Sequence, residues 1–257
     1  TTTGYALREI ELTTFGAILG QPDEPFAQPD KPLLKNSRSS TVAELALANK
    51  PLIYKRFRVT KWYDPLVNLL RTSPTVRSWK NAYALEARGL PTPRAWLMLH
   101  RRQRGLLYEG YLLCEKISDA VPLNEALLGL SFQAKRDLLE GLARLIRQMH
   151  ERFISHRDLK ASNILVGPNL ALHFIDLVGV VCETRQSARL QVRDLARLNA
   201  SFVTATHITR TDRLRFLRVY LLWSRRKKAG WKTWWKNIAK ATQAKIEKNQ
   251  RRNRPLT

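Results

Sequence analysis

Residues 156–179, HRDLKASNILVGPNLALHFIDLVG, decide how the rest of this chain is interpreted. Two short apolar runs, residues 164–166 and 172–175, flank the turn-forming sequence Gly-Pro-Asn, which predicts a hairpin of two short strands. Polar residues lie at one end of each strand. The hairpin therefore predicts a single site made of four side chains: Asp158, Lys160, Asn163 and Asp176.

The residue types of this cluster suit phosphoryl transfer. Such a reaction needs a carboxylate that orients the attacking hydroxyl, oxygen ligands for magnesium, and fixed positive charge beside the transferred phosphoryl group. Asp158 fits the first role, and Lys160 fits the third. Asn163 and Asp176 fit the second, as metal ligands. The alternative is that Asp158 and Asn163 only hydrogen-bond a turn, as Asp and Asn commonly do.

The same stretch resembles the catalytic loop and metal-binding strand of the protein-kinase superfamily, in which HRD is followed after four residues by Asn and later by DFG. The first part matches in full from His156 to Asn163, whereas Asp-Leu-Val at 176–178 replaces DFG, and Gly179 comes one residue late. The resemblance implies an α+β, two-lobed protein-kinase-like fold with a small β-rich N-lobe and a larger helical C-lobe. It also implies ATP and Mg²⁺ as cofactors.

Lys55 lies inside an apolar strand, at the spacing where kinases of this superfamily carry the lysine that contacts the nucleotide phosphates. The alternative is an edge-strand lysine followed by further surface charge. In the superfamily this lysine pairs with a Glu near the middle of the next helix. Here the helix predicted between Ser73 and Gly89 has Glu86, close to its C-terminal end, as its only Glu, so the sequence leaves the partner of Lys55 unassigned.

Two further segments match places where the superfamily contacts nucleotide. Small polar residues at 36–41 predict a turn whose backbone N–H groups cover phosphate, although an ordinary hairpin loop has the same composition. After the apolar run at 111–114, the chain occupies the position where the superfamily's hinge presents main-chain groups to adenine. The nucleotide site is thus predicted from Lys55 together with Arg38, Ser39, Ser40, Glu115 and Ile117.

The C-lobe is predicted to begin with a core helix at 131–153, whose apolar residues recur at helical spacing. This helix leads the chain to His156, which we interpret as a structural histidine under the catalytic loop. A second helix is predicted from Ala188. Within it Asp194 resembles a superfamily residue that braces the catalytic loop; the alternative is a solvated Asp between two arginines.

The segment after Asp176 indicates what kind of acceptor is phosphorylated. Only about ten residues separate Asp176 from the helix at Ala188, and the APE sequence that ends the peptide platform of protein kinases is absent. A small or glycan-like hydroxyl compound is therefore favoured over a polypeptide. The alternatives are an atypical protein Ser/Thr kinase, and a non-catalytic kinase-like module that binds RNA.

Several stretches in order, YKRFR, WKNAYALEARGLPTPRAW, HRDLKASNILV, RDLARLN and RLRFLRVYL, together resemble the bacterial kinases of the lipopolysaccharide core, over residues 33–223. The resemblance implies ATP-dependent phosphorylation of a sugar hydroxyl, on Kdo (3-deoxy-D-manno-octulosonic acid) or heptose, in the inner core of lipopolysaccharide. It also implies a cytoplasmic protein at the cytoplasmic face of the inner membrane.

The charge of the chain predicts a polyanionic partner. Lys and Arg number 45 against 21 acids, giving a formal net charge of +24. Lipopolysaccharide or a related glycolipid and an anionic membrane surface are the favoured partners beside ATP, and nucleic acid is less favoured. The two cysteines, Cys114 and Cys182, provide no disulfide framework, which favours a reducing, cytosolic compartment. We also identify no signal peptide and no apolar run long enough to span a membrane.

Four segments are predicted: a loosely structured lead-in at 1–34, the N-lobe at 35–117, the C-lobe at 118–223 and a basic amphipathic tail at 224–257. In the tail, Trp231, Trp234, Trp235 and Ile238 share one helical face, while Lys232, Lys236 and Lys240 recur every fourth residue. Such a helix suits an anionic membrane surface. The compatible alternative is that the Trp face packs on the C-lobe.

Overall fold

The computed structural model describes residues 1–7, 12–27, 33–47, 50–60, 64–65, 71–185, 187–222 and 230–253. The chain divides into two compact units. Unit 1 contains Thr1–Glu86 and Pro93–Ser118, and unit 2 contains Ala87–Thr92 and Asp119–Thr257. This division differs from the four predicted segments at both termini and at residues 87–92.

Unit 1 contains six strands: β1 (Thr2–Ala6), β2 (Lys35–Asn36), β3 (Ser40–Leu47), β4 (Lys50–Arg58), β5 (Ala95–Gln103) and β6 (Leu106–Glu115). They form one antiparallel sheet in the order β1-β5-β6-β4-β3-β2. Helices α1 (Leu12–Gly20) and α2 (Pro74–Glu86) complete the unit. The predicted strands around the polar turn and the meander that ends at Glu115 are confirmed.

The core of unit 1 follows from the alternation of side chains along its strands. Residues two apart point to the same face of a sheet, and on one face the central strands contribute such residues to a single cluster, although β5 and β6 are also buried on the other face. The buried cluster contains Ile18, Leu45, Leu52, Tyr54, Leu97, Leu99, Tyr111 and Leu113. Helix α2 begins as predicted at its cap, where the Ser73 hydroxyl accepts a 3.1 Å hydrogen bond from the Val76 N–H.

The expectation of a loosely structured lead-in is wrong for its described residues. Strand β1 pairs with β5, and the Asp23 carboxylate accepts hydrogen bonds from Arg56 (2.7 Å), Arg101 (2.6 Å) and the Tyr111 hydroxyl (2.9 Å). Burial raises the pKa of Asp23, but the hydrogen bonds and the two arginine charges lower it more, so it lies below its usual value. These partners come from distant strands, which the composition of residues 1–34 could not reveal.

The described residues of unit 2 form five helices and five strands of two or three residues, joined by 3₁₀ turns. Its elements are β7 (Val121–Pro122), α3 (Leu123–Ala126), α4 (Phe132–Glu151), β8 (Ile154–His156), β9 (Ile164–Val166), β10 (Leu172–Phe174), β11 (Val180–Cys182), α5 (Ala188–Ala200), α6 (Arg210–Leu222) and α7 (Trp231–Arg251). The strands form two small antiparallel sheets, β10-β9-β7 and β11-β8. No helix in the part of the chain that the structure describes is both long and apolar enough to cross a membrane.

Helix α4 is the predicted core helix of unit 2. Ser131 caps its N-terminus by accepting a hydrogen bond from the Ala134 N–H. One face of the helix is buried along its whole length, through Leu138, Leu139, Leu142, Leu145, Ile146 and Met149. The helix ends just before β8, so its burial fixes where the chain enters the catalytic loop.

Helix α7 packs against α5 and α6 within unit 2. The Trp234 ring meets Tyr220 of α6 edge-on at a centroid distance of 5.8 Å, and Ile238 is buried. The packing of the Trp face on the helical unit, one of the two compatible interpretations, is therefore confirmed for Trp234 and Ile238, whereas Trp231 is exposed. Residues 230–253 are part of unit 2 rather than a separate tail because their apolar face is covered by neighbouring helices.

Residues 87–92 belong to unit 2, although the sequence placed them in the N-lobe. The Thr92 hydroxyl donates to the Phe174 carbonyl (2.8 Å), and the Phe174 N–H donates to the Pro91 carbonyl (2.9 Å). Arg152 donates to the Gly89 carbonyl at 3.0 Å. These bonds hold the segment beside β10, the strand that leads to Asp176.

Candidate active site

The loop that carries Asp158 is supported by Asp194 of α5, whose side chain is fully buried. Its Oδ2 atom accepts hydrogen bonds from the Ser155 hydroxyl (2.7 Å) and from the His156 N–H (2.8 Å). Burial raises the pKa of Asp194, but His150, the Ser155 hydrogen bond and the Arg193 charge lower it more, so it lies below its usual value. Asp194 therefore braces the loop as an anion, and the solvated alternative is wrong.

His156 has the structural role predicted for it. The side chain is fully buried, and its Nε2–H donates to the Ile175 carbonyl at 3.0 Å. The main chain makes a second link, because the Ile175 N–H donates to the Asn163 carbonyl at 3.0 Å. These two bonds tie the catalytic loop to the residue that precedes Asp176.

Asn163 is oriented by Asp158. Its amide nitrogen donates to the Asp158 carbonyl (2.9 Å) and to Oδ2 of the Asp158 carboxylate (3.1 Å). Because both donations come from Nδ2, the amide oxygen on the same carbon points away from Asp158. An amide oxygen held in this way fits a hard divalent cation, which prefers oxygen ligands and usually binds one or two side chains together with substrate phosphates.

Asp176 follows β10 in a left-handed backbone conformation, with φ 56° and ψ 57°. A non-glycine residue pays about 1–3 kcal/mol for a sparsely populated conformation, and such residues cluster at functional sites. The 3₁₀ turn that starts after Asp176 ends at Gly179, which lies against Asp158: a Cβ atom built on Gly179 would be 3.5 Å from the Asp158 nitrogen. The structure thus brings the Asp176 segment beside Asp158 and Asn163.

Lys160 lies in the same loop, between Asp158 and Asn163. Its side chain is half-buried, and its carbonyl accepts a 2.9 Å hydrogen bond from the Asn163 N–H. All four residues of the predicted cluster are therefore placed in one loop and hairpin of unit 2. Among the residues that the structure describes, no group of three or more His, Cys, Asp or Glu side chains converges as a metal site of its own.

Lys55 lies, as predicted, inside a strand of unit 1. It is on β4, paired in register with Val42 of β3 and Leu112 of β6, so it belongs to the interior of the sheet and not to an edge. Its ammonium group is 4.8 Å from the centre of the Phe57 ring. Oε1 of Glu86, the Glu of helix α2, lies 3.7 Å from Nε of Arg94. The role of Lys55 toward phosphate stays a prediction.

The polar turn between β2 and β3 is held by its own serines. The Ser37 hydroxyl donates to the Ser40 carbonyl (2.9 Å) and accepts from the Ser40 N–H (3.2 Å). The Ser39 carbonyl accepts from the Arg58 N–H (2.9 Å), and Arg38 donates to the Thr60 carbonyl (3.1 Å). Much of the hydrogen-bonding capacity of this turn is therefore used within unit 1, and its contact with phosphate stays a prediction.

Glu115 ends β6, and Ile117 follows it. The Glu115 N–H donates to the Arg94 carbonyl (2.9 Å), and its carboxylate accepts from the Trp96 indole (3.1 Å). Ile117 is the residue before Ser118, where unit 1 ends. Both residues therefore lie where the chain passes from unit 1 to unit 2, and their role toward adenine stays a prediction.

Sequence reasoning missed Arg197 of α5 and Lys245 of α7, which lie close enough to Asp158 for the charges to interact. For Lys245, the spacing of residues along the sequence did contain a signal. Lys245 comes seven residues after Ile238 and therefore continues the buried face of α7, whereas Lys232, Lys236 and Lys240 are exposed. Lys245 is half-buried on the packed face of the helix, whereas the other three lysines face solvent.

Comparisons with known proteins identify the family. The sequence model of the lipopolysaccharide kinase (Kdo/WaaP) family matches residues 54–220. The 3-deoxy-D-manno-octulosonic acid kinase of Photobacterium profundum is 31% identical over 115 residues, which cover 45% of this chain and 47% of the relative. The lipopolysaccharide core heptose(I) kinase WaaP of Escherichia coli is 23% identical over 230 residues, which cover 82% of this chain and 86% of the relative.

A solved structure shows the fold. The structure titled "WaaP in complex with acyl carrier protein" matches with a TM-score of 0.66 and 20% identity, over 94% of this chain and 98% of the other. The predicted α+β, protein-kinase-like fold is confirmed by this match. The names of these relatives describe a kinase of 3-deoxy-D-manno-octulosonic acid and a kinase of heptose(I) in the lipopolysaccharide core. The chain belongs to the lipopolysaccharide kinase (Kdo/WaaP) family, whose members phosphorylate sugar hydroxyls of lipopolysaccharide.

Proposed function

We propose that this chain transfers the γ-phosphoryl group of ATP to a sugar hydroxyl, on Kdo or heptose, in the inner core of lipopolysaccharide. The observation that carries the proposal is the Asp158–Asn163 pair, in which the Asn163 amide donates to the Asp158 carboxylate and directs its own oxygen away from Asp158. The pair lies in a loop that a buried anion, Asp194, braces. Membership of a kinase family supports the same activity.

Asp158 acts on the acceptor. Its Oδ2 accepts the bond from Asn163, and Oδ1 has no hydrogen bond among the described residues, so Oδ1 can accept the proton of the attacking hydroxyl. Positioning of the hydroxyl in this way contributes about 10²–10⁴-fold to rate in general-base catalysis. Lys160, two residues along the loop, supplies fixed positive charge for the transferred group.

Asn163 and Asp176 are the residues that would hold Mg²⁺. When bound, the ion would neutralise charge on the nucleotide phosphates. Lys55 of unit 1 would contact those phosphates, with Arg38, Ser39 and Ser40 as the covering turn and the main chain at Glu115 and Ile117 as the adenine contact. These nucleotide contacts rest on the resemblance to kinases.

Peripheral membrane binding is a further part of the proposal. The exposed lysines of α7, Lys232, Lys236 and Lys240, and the exposed Trp231 would face an anionic surface on the cytoplasmic side of the inner membrane. The apolar face around Ile238 is already packed within unit 2, so the contribution expected from α7 is mainly electrostatic. It should weaken with salt.

Mass spectrometry of lipopolysaccharide from a strain with and without the gene tests the proposal. We expect the inner core to lose one phosphate without the gene, and to regain it with the parent chain but not with Asp158→Ala. Identical core phosphorylation in both strains would reject the proposed acceptor. Phosphate recovered on protein instead would favour the protein-kinase alternative.

A further inference from the structure

Helix α5 supports both the catalytic loop and α7. At its C-terminus the Ser201 hydroxyl accepts a 3.1 Å hydrogen bond from the Ala161 N–H of the loop. Two residues earlier, Asn199 donates from Nδ2 to the Thr242 hydroxyl of α7 at 3.1 Å, and Thr242 is buried. One helix therefore fixes the position of α7 relative to the loop that carries Asp158.

Lys245 lies on the side of α7 that meets α5, three residues after Thr242. Its side chain is half-buried, and no hydrogen bond or ion pair of Lys245 occurs among the described residues. Burial and then the charge of Arg197 lower the pKa of Lys245, Asp158 opposes this, and Lys248 and Lys160 lower it further. The ammonium group thus lies among the charges that surround Asp158.

Arg197 is the second unusual cation of this region. Its Nη1 atom is buried and lies 4.0 Å from Asp194 Oδ1, too far for a hydrogen bond, and no other described group bonds it. Burial and then the charge of Arg193 lower the pKa of Arg197, while Asp194 and Asp158 raise it. A quarter of the Arg197 side chain is nevertheless exposed, so an incoming anion can reach the guanidinium and supply hydrogen bonds that it lacks.

We propose that Arg197 and Lys245 form an anion subsite beside Asp158, which holds the acidic group of the sugar acceptor while Asp158 orients its hydroxyl. The proposal rests on the proposed function and specifies its substrate: a sugar with a carboxylate or phosphate near the accepting hydroxyl. Arg197 lies on α5 between Asp194 and Ser201, which both bond the loop that carries Asp158. Lys245 lies about one turn after Thr242, which bonds α5, and so lies on the side of α7 that meets this helix.

Such a subsite gives specificity as well as affinity. A neutral sugar would leave the cations unpaired, whereas an acidic sugar satisfies them and is held in one orientation by them. The name of one relative, 3-deoxy-D-manno-octulosonic acid kinase, describes an acceptor of this class. The subsite consists of residues of unit 2 only. Helix α5 therefore positions both the residues that bind the acceptor and the loop that carries Asp158.

The test compares Lys245→Gln, which removes the charge, with Lys245→Arg, which keeps it, and with Lys80→Gln as a control at an exposed lysine of α2. Kdo-containing lipid A in detergent micelles is the probe. Its equilibrium binding is measured without ATP, and its KM and kcat are measured with ATP. We expect Lys245→Gln to weaken binding and raise the acceptor KM about tenfold, as for loss of one charged hydrogen bond, with kcat and the KM for ATP nearly unchanged.

Lys245→Arg should restore most of the binding, and Lys80→Gln should match the parent. Two edited acceptors identify the anion: methyl esterification of the carboxylates or removal of the phosphates abolishes the difference between parent and Lys245→Gln if that group is the one bound. Equal effects of Lys245→Gln and Lys80→Gln, or a difference that survives both edits, would overturn the subsite. If the parent binds the glycolipid without phosphorylating it, the proposed function fails, and the binding comparison still decides the subsite.

Discussion

The catalytic loop of unit 2 and the serine turn of unit 1 are both clusters of small polar residues, but they use their polar groups differently. In the loop, buried Asp194 takes the N–H of His156 and the hydroxyl of Ser155, and the Asp158 carboxylate, which accepts from Asn163 through Oδ2, keeps Oδ1 without a hydrogen bond among the described residues. In the turn, Ser37 and Ser40 bond each other. A cluster of polar residues can serve as a binding site when another part of the fold fixes its backbone and leaves some of its polar groups without a hydrogen bond.

The largest effect should follow from removing the group that acts on the acceptor. Asp158→Ala should lower kcat about 10²–10⁴-fold, because it removes the proposed general base, while leaving ATP affinity within about threefold. Turnover with purified glycolipid and equilibrium binding of ATP are the two measurements. Comparable losses in both would show that Asp158 binds nucleotide rather than orienting the acceptor.

Removal of the Asp194 carboxylate, which supports the catalytic loop, should destabilise the whole fold as well as the site. Asp194→Ala leaves the Ser155 hydroxyl and the His156 N–H buried without their acceptor, so we expect about 3–5 kcal/mol lower free energy of unfolding in urea. Asp137→Ala, an exposed aspartate on α4, is the control and should change stability by less than about 0.5 kcal/mol. A change below about 1 kcal/mol for Asp194→Ala would contradict the bracing role.

The pH dependence of stability gives a second test of Asp194. Because its pKa is lower in the folded protein than the usual value of about 3.9, the anion stabilises the fold above that value. This contribution should disappear as pH falls below about 4, through the folded pKa. Between pH 7 and 3, Asp194→Asn should therefore lose less stability than the parent, and parallel curves would contradict the assignment.

Lys55→Met tests whether Lys55 of unit 1 contacts the nucleotide phosphates. Removal of one preorganised charge should lower kcat/KM about 10²–10³-fold. Lys50→Met is the control on the same strand, since Lys50 is exposed and its ammonium lies 4.8 Å from the centre of the Trp96 ring. If Lys55→Met retains activity within about threefold of the parent, another residue contacts the phosphates.

The smallest effect is expected in the serine turn. Ser37→Ala removes hydrogen bonds within the turn and should lower the free energy of unfolding by about 1 kcal/mol. The KM for ATP should stay within about twofold, because the Ser37 hydroxyl is used by the turn itself. A tenfold rise in this KM would show that the Ser37 hydroxyl itself serves the nucleotide and would remove the difference between the two regions.

The sequence predicted the helices and strands that carry the candidate site better than it predicted the limits of the two units. The hairpin, the core helix and the position of Lys55 depend on local periodicity and on a motif of fixed spacing, so they could be predicted. The role of Asp23 could not, since its partners Arg56 and Arg101 lie on strands far along the chain. Lys245 was missed for a similar reason: its proximity to Asp158 depends on how α7 packs on α5.

Transfer of labelled phosphate from ATP tests the central claim most directly. The purified chain is incubated with γ-labelled ATP, Mg²⁺, inner-core lipopolysaccharide and a general protein substrate, and the labelled product is separated and its phosphorylated position determined. We predict label on a Kdo or heptose hydroxyl, lost with Asp158→Ala. Label on the protein substrate alone, or no transfer by a folded chain that binds ATP, would contradict the account.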